Sequence, residues 1–208
     1  MSFELWLAFA VASAILLAIP GPTIMLVISY ALGRGRSTGW ATVPGVVLGD
    51  FTAMTISLAG AGAVLAASAT LFTILKLCGA AYLIWLGIQL WRAPVSPEML
   101  GTAVQPNGQR KMFVSTYVVT ALNPKSIVFF VAFVPQFVVA DAPVLPQFVA
   151  LEATFLTLAG INAALWALLA GEMRAWFRRP TTLRLVNRLG GGMLIGAGLL
   201  TAAARRTA

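Results

Sequence analysis

The sequence predicts an all-α integral membrane protein with six transmembrane helices, built as two inverted three-helix repeats whose first and fourth helices are broken. Three observations lead there. Of 208 residues, 60% are hydrophobic and only 10% charged, where an ordinary soluble domain carries roughly 25% charged residues. The charges cluster between long apolar runs. Two of those runs carry proline near their middle. So few charges cannot wet the surface of a soluble globule, and disordered chains are poor in apolar residues.

The first apolar run spans Leu5 to Leu32, holds Pro20-Gly21-Pro22 near its middle and ends at Gly33-Arg34-Gly35-Arg36. No Lys or Arg precedes it, as a signal peptide would require, so it reads as a span. The second run begins near Trp40 and carries Asp50. From Phe51 to Trp91 only Lys76 is charged. That stretch would extend about 60 Å as one helix, twice a ~30 Å hydrocarbon core. It therefore divides into two spans, with a tight turn at Ser68-Ala69-Thr70.

Ala93 to Gln109 is a hydrophilic loop with Pro94, Pro97, Pro106, Asn107 and Gly108. The fourth run, Phe113 to Val139, is interrupted by Asn123-Pro124-Lys125. After a short loop, Ala140 to Pro146, the fifth run is Gln147 to Gly171. A basic loop then holds Arg174, Arg178, Arg179, Arg184 and Arg188. Leu189 to Ala204 is the last and shortest run. Ten of the fourteen Lys and Arg fall in the loops after spans one, three and five. The positive-inside rule puts those loops in the cytoplasm and the N-terminus outside. The surplus of eight positive charges is thus mostly topology, and nucleic-acid binding is not expected.

The organisation is a first repeat over 1–92, a cytoplasmic loop over 93–112 and a second repeat over 113–208. Three spans per half make the second repeat inverted relative to the first. Both halves begin with a proline-broken span, and paired interrupted helices point to a transporter site. Asp50 follows Pro22 by 28 residues, and Glu152 follows Pro124 by the same 28. Asp50 lies about 15 Å inside its span and Lys125 about 18 Å inside its own, both near the bilayer midplane. Glu152 is shallower. A carboxylate at that depth is costly and marks function.

A proline inside a helix removes one N–H and strands a carbonyl one turn back. In hydrocarbon such groups are tolerated only beside a cavity or inside protein. Helices restarting after Pro22 and near Lys125 present free N–H groups and a positive dipole end. Pro20, Gly21, Pro22, Asn123, Pro124 and Lys125 would therefore hold a carboxylate, while Asp50 holds an ammonium or a proton. Together they would read a zwitterion, such as an amino acid, with Asp50 and Glu152 as the proton-coupling pair. Lys76 reads as a snorkelling cation. Asn162 reads as a hydrogen bond between helices, and the glycines as close helix packing that also permits a homodimer.

There is no histidine, and the single Cys78 sits in an apolar run. No metal site, cofactor or enzymatic role is expected. The rival reading on the same repeats is a passive channel for small polar solutes.

The motifs also occur in a known order: Pro20-Gly21-Pro22, the Gly-rich start of span two up to Asp50, and Gly79-Ala80-Ala81-Tyr82-Leu83. Leu122-Asn123-Pro124-Lys125, Phe133-Val134-Pro135-Gln136-Phe137 and Asn187-Arg188-Leu189-Gly190-Gly191-Gly192 complete the series. Over essentially its whole length the chain resembles the LysE/RhtB family of bacterial amino-acid exporters. It looks most like the branch that exports threonine, homoserine and homoserine lactone. The resemblance implies multi-pass insertion in the bacterial inner membrane and export of amino acids or close derivatives driven by the proton-motive force.

Overall fold

A computed structural model describes residues 1–93, 108–139, 142–177 and 180–203. Most of the hydrophilic loop, part of the basic loop (178 and 179), and Arg205 and Arg206 lie outside the described residues. Among the described residues every regular element is helical. Helix α1 (Phe3–Ala18) starts on a Ser2 cap whose hydroxyl accepts from the Leu5 amide at 3.3 Å. It stops where Pro20 cannot continue it. Helix α2 (Pro22–Arg34) restarts at 53° to α1, with Pro22 in the first turn, where its missing N–H costs nothing. Gly35, at φ +85°, closes α2 in a conformation that favours glycine.

A short turn at Arg36–Thr38 leads into α3 (Gly39–Ala67), and α4 (Ala69–Arg92) follows after a single residue. The expected turn falls at Ser68, whose hydroxyl caps α4 by accepting from the Leu71 amide at 3.2 Å. Helix α5 (Gln109–Ala121) begins earlier than the apolar run that it leads into. It breaks at Leu122-Asn123, and α6 (Pro124–Val128) restarts from an Asn123 cap. A π-helical turn, Phe129–Phe133, and a 3-10 turn, Val134–Phe137, carry the chain on. Helices α7 (Val144–Phe177) and α8 (Pro180–Ala203) complete the chain.

The end of the chain differs from expectation. Arg184 and Arg188, read as loop residues, lie within α8, because Pro180 opens the helix nine residues before Leu189. At 24 residues α8 has the length of a span. Among the described residues four helices are long and apolar enough to cross a membrane, or five with the bent α1–α2 pair counted as one.

Large apolar side chains face outward along these helices, as in Trp40 at 83% and Leu145 at 72% exposed. A soluble monomer does not expose apolar surface on this scale; lipid covers it. The chain is a multi-pass membrane protein. Inside, Phe9, Phe129, Phe130, Phe133, Phe137 and Phe155 form one aromatic cluster, with ring centroids 4.8 to 6.1 Å apart. Two helix pairs meet backbone to backbone at glycine. A Cβ at Gly191 of α8 would lie 2.5 Å from the Gly87 carbonyl of α4. One at Gly49 of α3 would lie 2.8 Å from the Tyr117 carbonyl of α5. Only glycine permits these approaches.

Candidate substrate site

Both helix breaks open onto one narrow cavity, about 20 Å³ in volume, which is room for about one water. Its polar lining is Gly21, Thr23, Asp50, Asn123, Lys125, Ser126 and Asn162. Leu16, Leu17, Ile24, Val46 and Ala159 supply its apolar lining. Four of the residues expected at the site thus meet: Gly21, Asp50, Asn123 and Lys125. Pro20, Pro22 and Pro124 shape the breaks that bring them there.

The first break exposes two helix ends, and the sequence reading weighed mainly one of them. The start of α2 faces the cavity through Gly21, Thr23 and Ile24. The end of α1 presents carbonyls that no next turn can pair. The Lys125 ammonium, reaching over from α6, donates to Leu16 O at 3.1 Å and Ile19 O at 3.0 Å. This is the expected place for a cation, because the C-terminal end of a helix carries the negative end of its dipole. Asn162, from α7, donates through Nδ2 to the Leu17 carbonyl at 3.0 Å. The carbonyl end of α1 is therefore held by two side chains from the second half of the chain.

The second break is cross-linked to the first. Asn123 Oδ1 accepts from the Lys125 amide at 3.1 Å, capping α6. Its Nδ2 donates to Thr23 Oγ1 at 3.3 Å, and the Thr120 hydroxyl donates to the same oxygen at 3.3 Å. All three of these side chains are buried. Thr23, Thr120, Ser126 and Asn162 are the components that sequence reasoning did not place at the site. Only their closeness to the two breaks in the sequence could have drawn attention to the threonines.

Asp50 is 3% exposed, and its Oδ1 has no hydrogen-bond partner. It shares the cavity with Lys125, but no ion pair joins the two, the ammonium being engaged by the α1 carbonyls. An acceptor-only group left open beside a cavity is positioned to take a proton or a cationic ligand. Glu152 lies elsewhere. It accepts from the Thr55 hydroxyl at 2.7 Å, linking α7 to α3, and does not line the cavity.

The family model for LysE type translocators matches residues 14–204 of this chain. The chain belongs to the LysE type translocator family. Among the relatives of this translocator-family member, the homoserine/homoserine lactone efflux protein of Salmonella typhi is 34% identical over 99% of both chains. An uncharacterized membrane protein of Vibrio cholerae is 33% identical over 99% of this chain and all of its own. The leucine efflux protein of Enterobacter sp. (strain 638) is 27% identical over 89% of this chain and 87% of its own. No solved structure gives a significant match.

Proposed function

We propose that this chain is a secondary active exporter of neutral amino acids or close derivatives of the homoserine lactone type, working by proton antiport in the bacterial inner membrane. Family membership and relatives named for homoserine and leucine efflux support the export reading. The observation that carries the mechanism is one buried carboxylate, Asp50, and one buried ammonium, Lys125, facing a single cavity at two helix breaks. A zwitterion needs both charges. Its carboxylate would be held by Lys125 and the α2 N-terminus beside Gly21. Its ammonium would be held by Asp50. Proton and substrate then compete for Asp50, which is the exchange that an antiporter requires.

The architecture proposed is six spans in two inverted repeats, 1–92 and 113–208, joined by a cytoplasmic segment over 93–112. Support comes from matched breaks in α1–α2 and α5–α6, and from the close pairing of α4 with α8, the third helix of each half. A cavity with room for about one water cannot hold an amino acid without movement of the breaks. That favours alternating access over a standing pore. Glu152, on the α3–α7 contact, would relay protons between the outer surface and Asp50.

The test is reconstitution in proteoliposomes with an imposed pH gradient. Accumulation of L-homoserine against its own gradient, abolished by a protonophore, is the expected result. Movement only down the amino-acid gradient would replace the antiporter with the channel.

A further inference from the structure

Asn162 holds more hydrogen-bonding capacity than the fold uses. A side-chain amide offers two N–H donors and two carbonyl lone pairs. One donor goes to Leu17 O at 3.0 Å, and one lone pair receives the Trp166 indole N–H at 3.2 Å. These partners have opposite polarity, so they fix the amide in one of its two flips. A reversed amide would point its oxygen at a carbonyl and its N–H groups at an indole N–H. Among the described residues, one N–H and one lone pair remain. Asn162 lines the same cavity as Asp50 and Lys125, together with apolar Leu16, Leu17, Ile24, Val46 and Ala159. Asp50 and Lys125 account for the two charges of a zwitterion, which leaves the oriented amide on the cavity lining for the rest of it, the side chain.

We infer that Asn162 is a specificity-determining residue that reads an oxygen on the substrate side chain. The substrate class it selects is a small neutral amino acid, or a derivative, with a hydroxyl or ring oxygen a few bonds from Cα. A hydroxyl can both donate to the amide oxygen and accept from its N–H. An aliphatic side chain of equal size leaves both unpaired, and a site built to bond a hydroxyl discriminates strongly against the analogue that lacks it. The inference rests on the export reading and adds to it the residue that reads the substrate side chain.

L-Homoserine and L-norvaline isolate this contact, because they differ by a terminal hydroxyl against a methyl group. Uphill efflux of each would be measured in proteoliposomes for the wild type, Asn162→Leu and Trp166→Phe. The wild type should favour homoserine in Vmax/KM by about five- to tenfold, the factor that one net hydrogen bond sets. Asn162→Leu should bring that ratio close to one by raising the homoserine KM while norvaline transport persists. Trp166→Phe keeps the amide and its bond to Leu17 O but removes the donor that holds its oxygen, and should give an intermediate ratio. It also serves if the leucine variant is not recovered folded. A wild-type ratio near one, or an unchanged ratio in both variants, overturns the assignment and leaves the exporter standing. If the wild type moves neither amino acid, the export reading falls and this inference with it.

Discussion

The Lys125 ammonium lies 3.0 Å from the carbonyl oxygen of Ile19, so a residue of the second helix break closes the end of the helix at the first. The bond does two things at once. It pairs carbonyls that would otherwise be stranded in a low-dielectric interior, and it parks a cation where the α1 dipole is negative. A substrate carboxylate arriving beside Gly21 would compete for that same ammonium. Binding and loosening of the α1–α2 break are then one event.

Lys125→Met should therefore harm both stability and transport. Two buried carbonyls, Leu16 O and Ile19 O, lose their donor, at a cost of about 1–3 kcal/mol for each group left unpaired. A lower unfolding temperature in detergent and loss of homoserine efflux are expected, with membrane insertion retained. Normal efflux from an inserted Lys125→Met protein would remove the lysine from the site.

Asp50→Asn should separate coupling from folding. The carboxylate oxygen Oδ1 has no partner to lose, and a neutral amide is cheaper to bury than a charge. Thermal stability should hold or rise, while uphill efflux driven by a pH gradient is abolished. Wild-type uphill efflux would withdraw Asp50 from proton exchange.

The architecture was legible in the sequence where a residue forces the backbone. Proline cannot continue a helix, so both breaks stood out at Pro20-Gly21-Pro22 and Asn123-Pro124. A 60 Å apolar run cannot fit one bilayer crossing, so the turn at Ser68 followed. What stayed hidden depends on helix rotation. Thr23 and Asn162 are unremarkable in an apolar helix until packing turns them onto one cavity, and Thr120 until it meets Thr23. The partner of Lys125 was hidden for a related reason, since sequence exposes a break but not which of its two ends a distant cation will reach. The start of α8 was misread because Arg184 and Arg188 look like loop residues, although Pro180 sets the helix start before them.

Gly21→Ala should act through Lys125. A Cβ there would sit 3.4 Å from Lys125 Nζ and 3.6 Å from Cε. The backbone at Gly21, φ −108° and ψ −170°, is extended and accepts alanine without strain. The effect is therefore crowding of the ammonium alone. A severalfold higher KM with little change in stability is expected, and Gly21→Val should be worse. Equal KM values for glycine and alanine would place the substrate away from this break.

Glu152→Gln should slow proton-driven efflux severalfold and leave KM unchanged, because Glu152 touches Thr55 rather than the cavity. Thr55→Val should act in the same direction and more weakly. Rates measured across a series of imposed pH gradients check both, and an unaltered rate for Glu152→Gln would leave Asp50 as the sole coupling acid.

The α4–α8 contact gives a prediction in which two glycines of one helix behave oppositely. At Gly191 a Cβ would lie 2.5 Å from the Gly87 carbonyl and 2.9 Å from the Trp91 amide, both backbone atoms that no rotamer change can move. Gly191→Ala must push the helices apart, and overpacking of this kind costs about 1–3 kcal/mol. At Gly196 an added Cβ meets nothing within 4 Å. There alanine brings only its better helix propensity, about 1 kcal/mol over glycine. Thermal unfolding in detergent should show a lower midpoint for Gly191→Ala and an equal or higher one for Gly196→Ala. If both variants unfold like the wild type, α4 and α8 are not packed backbone to backbone, and the pairing that supports the inverted repeat is lost with that contact.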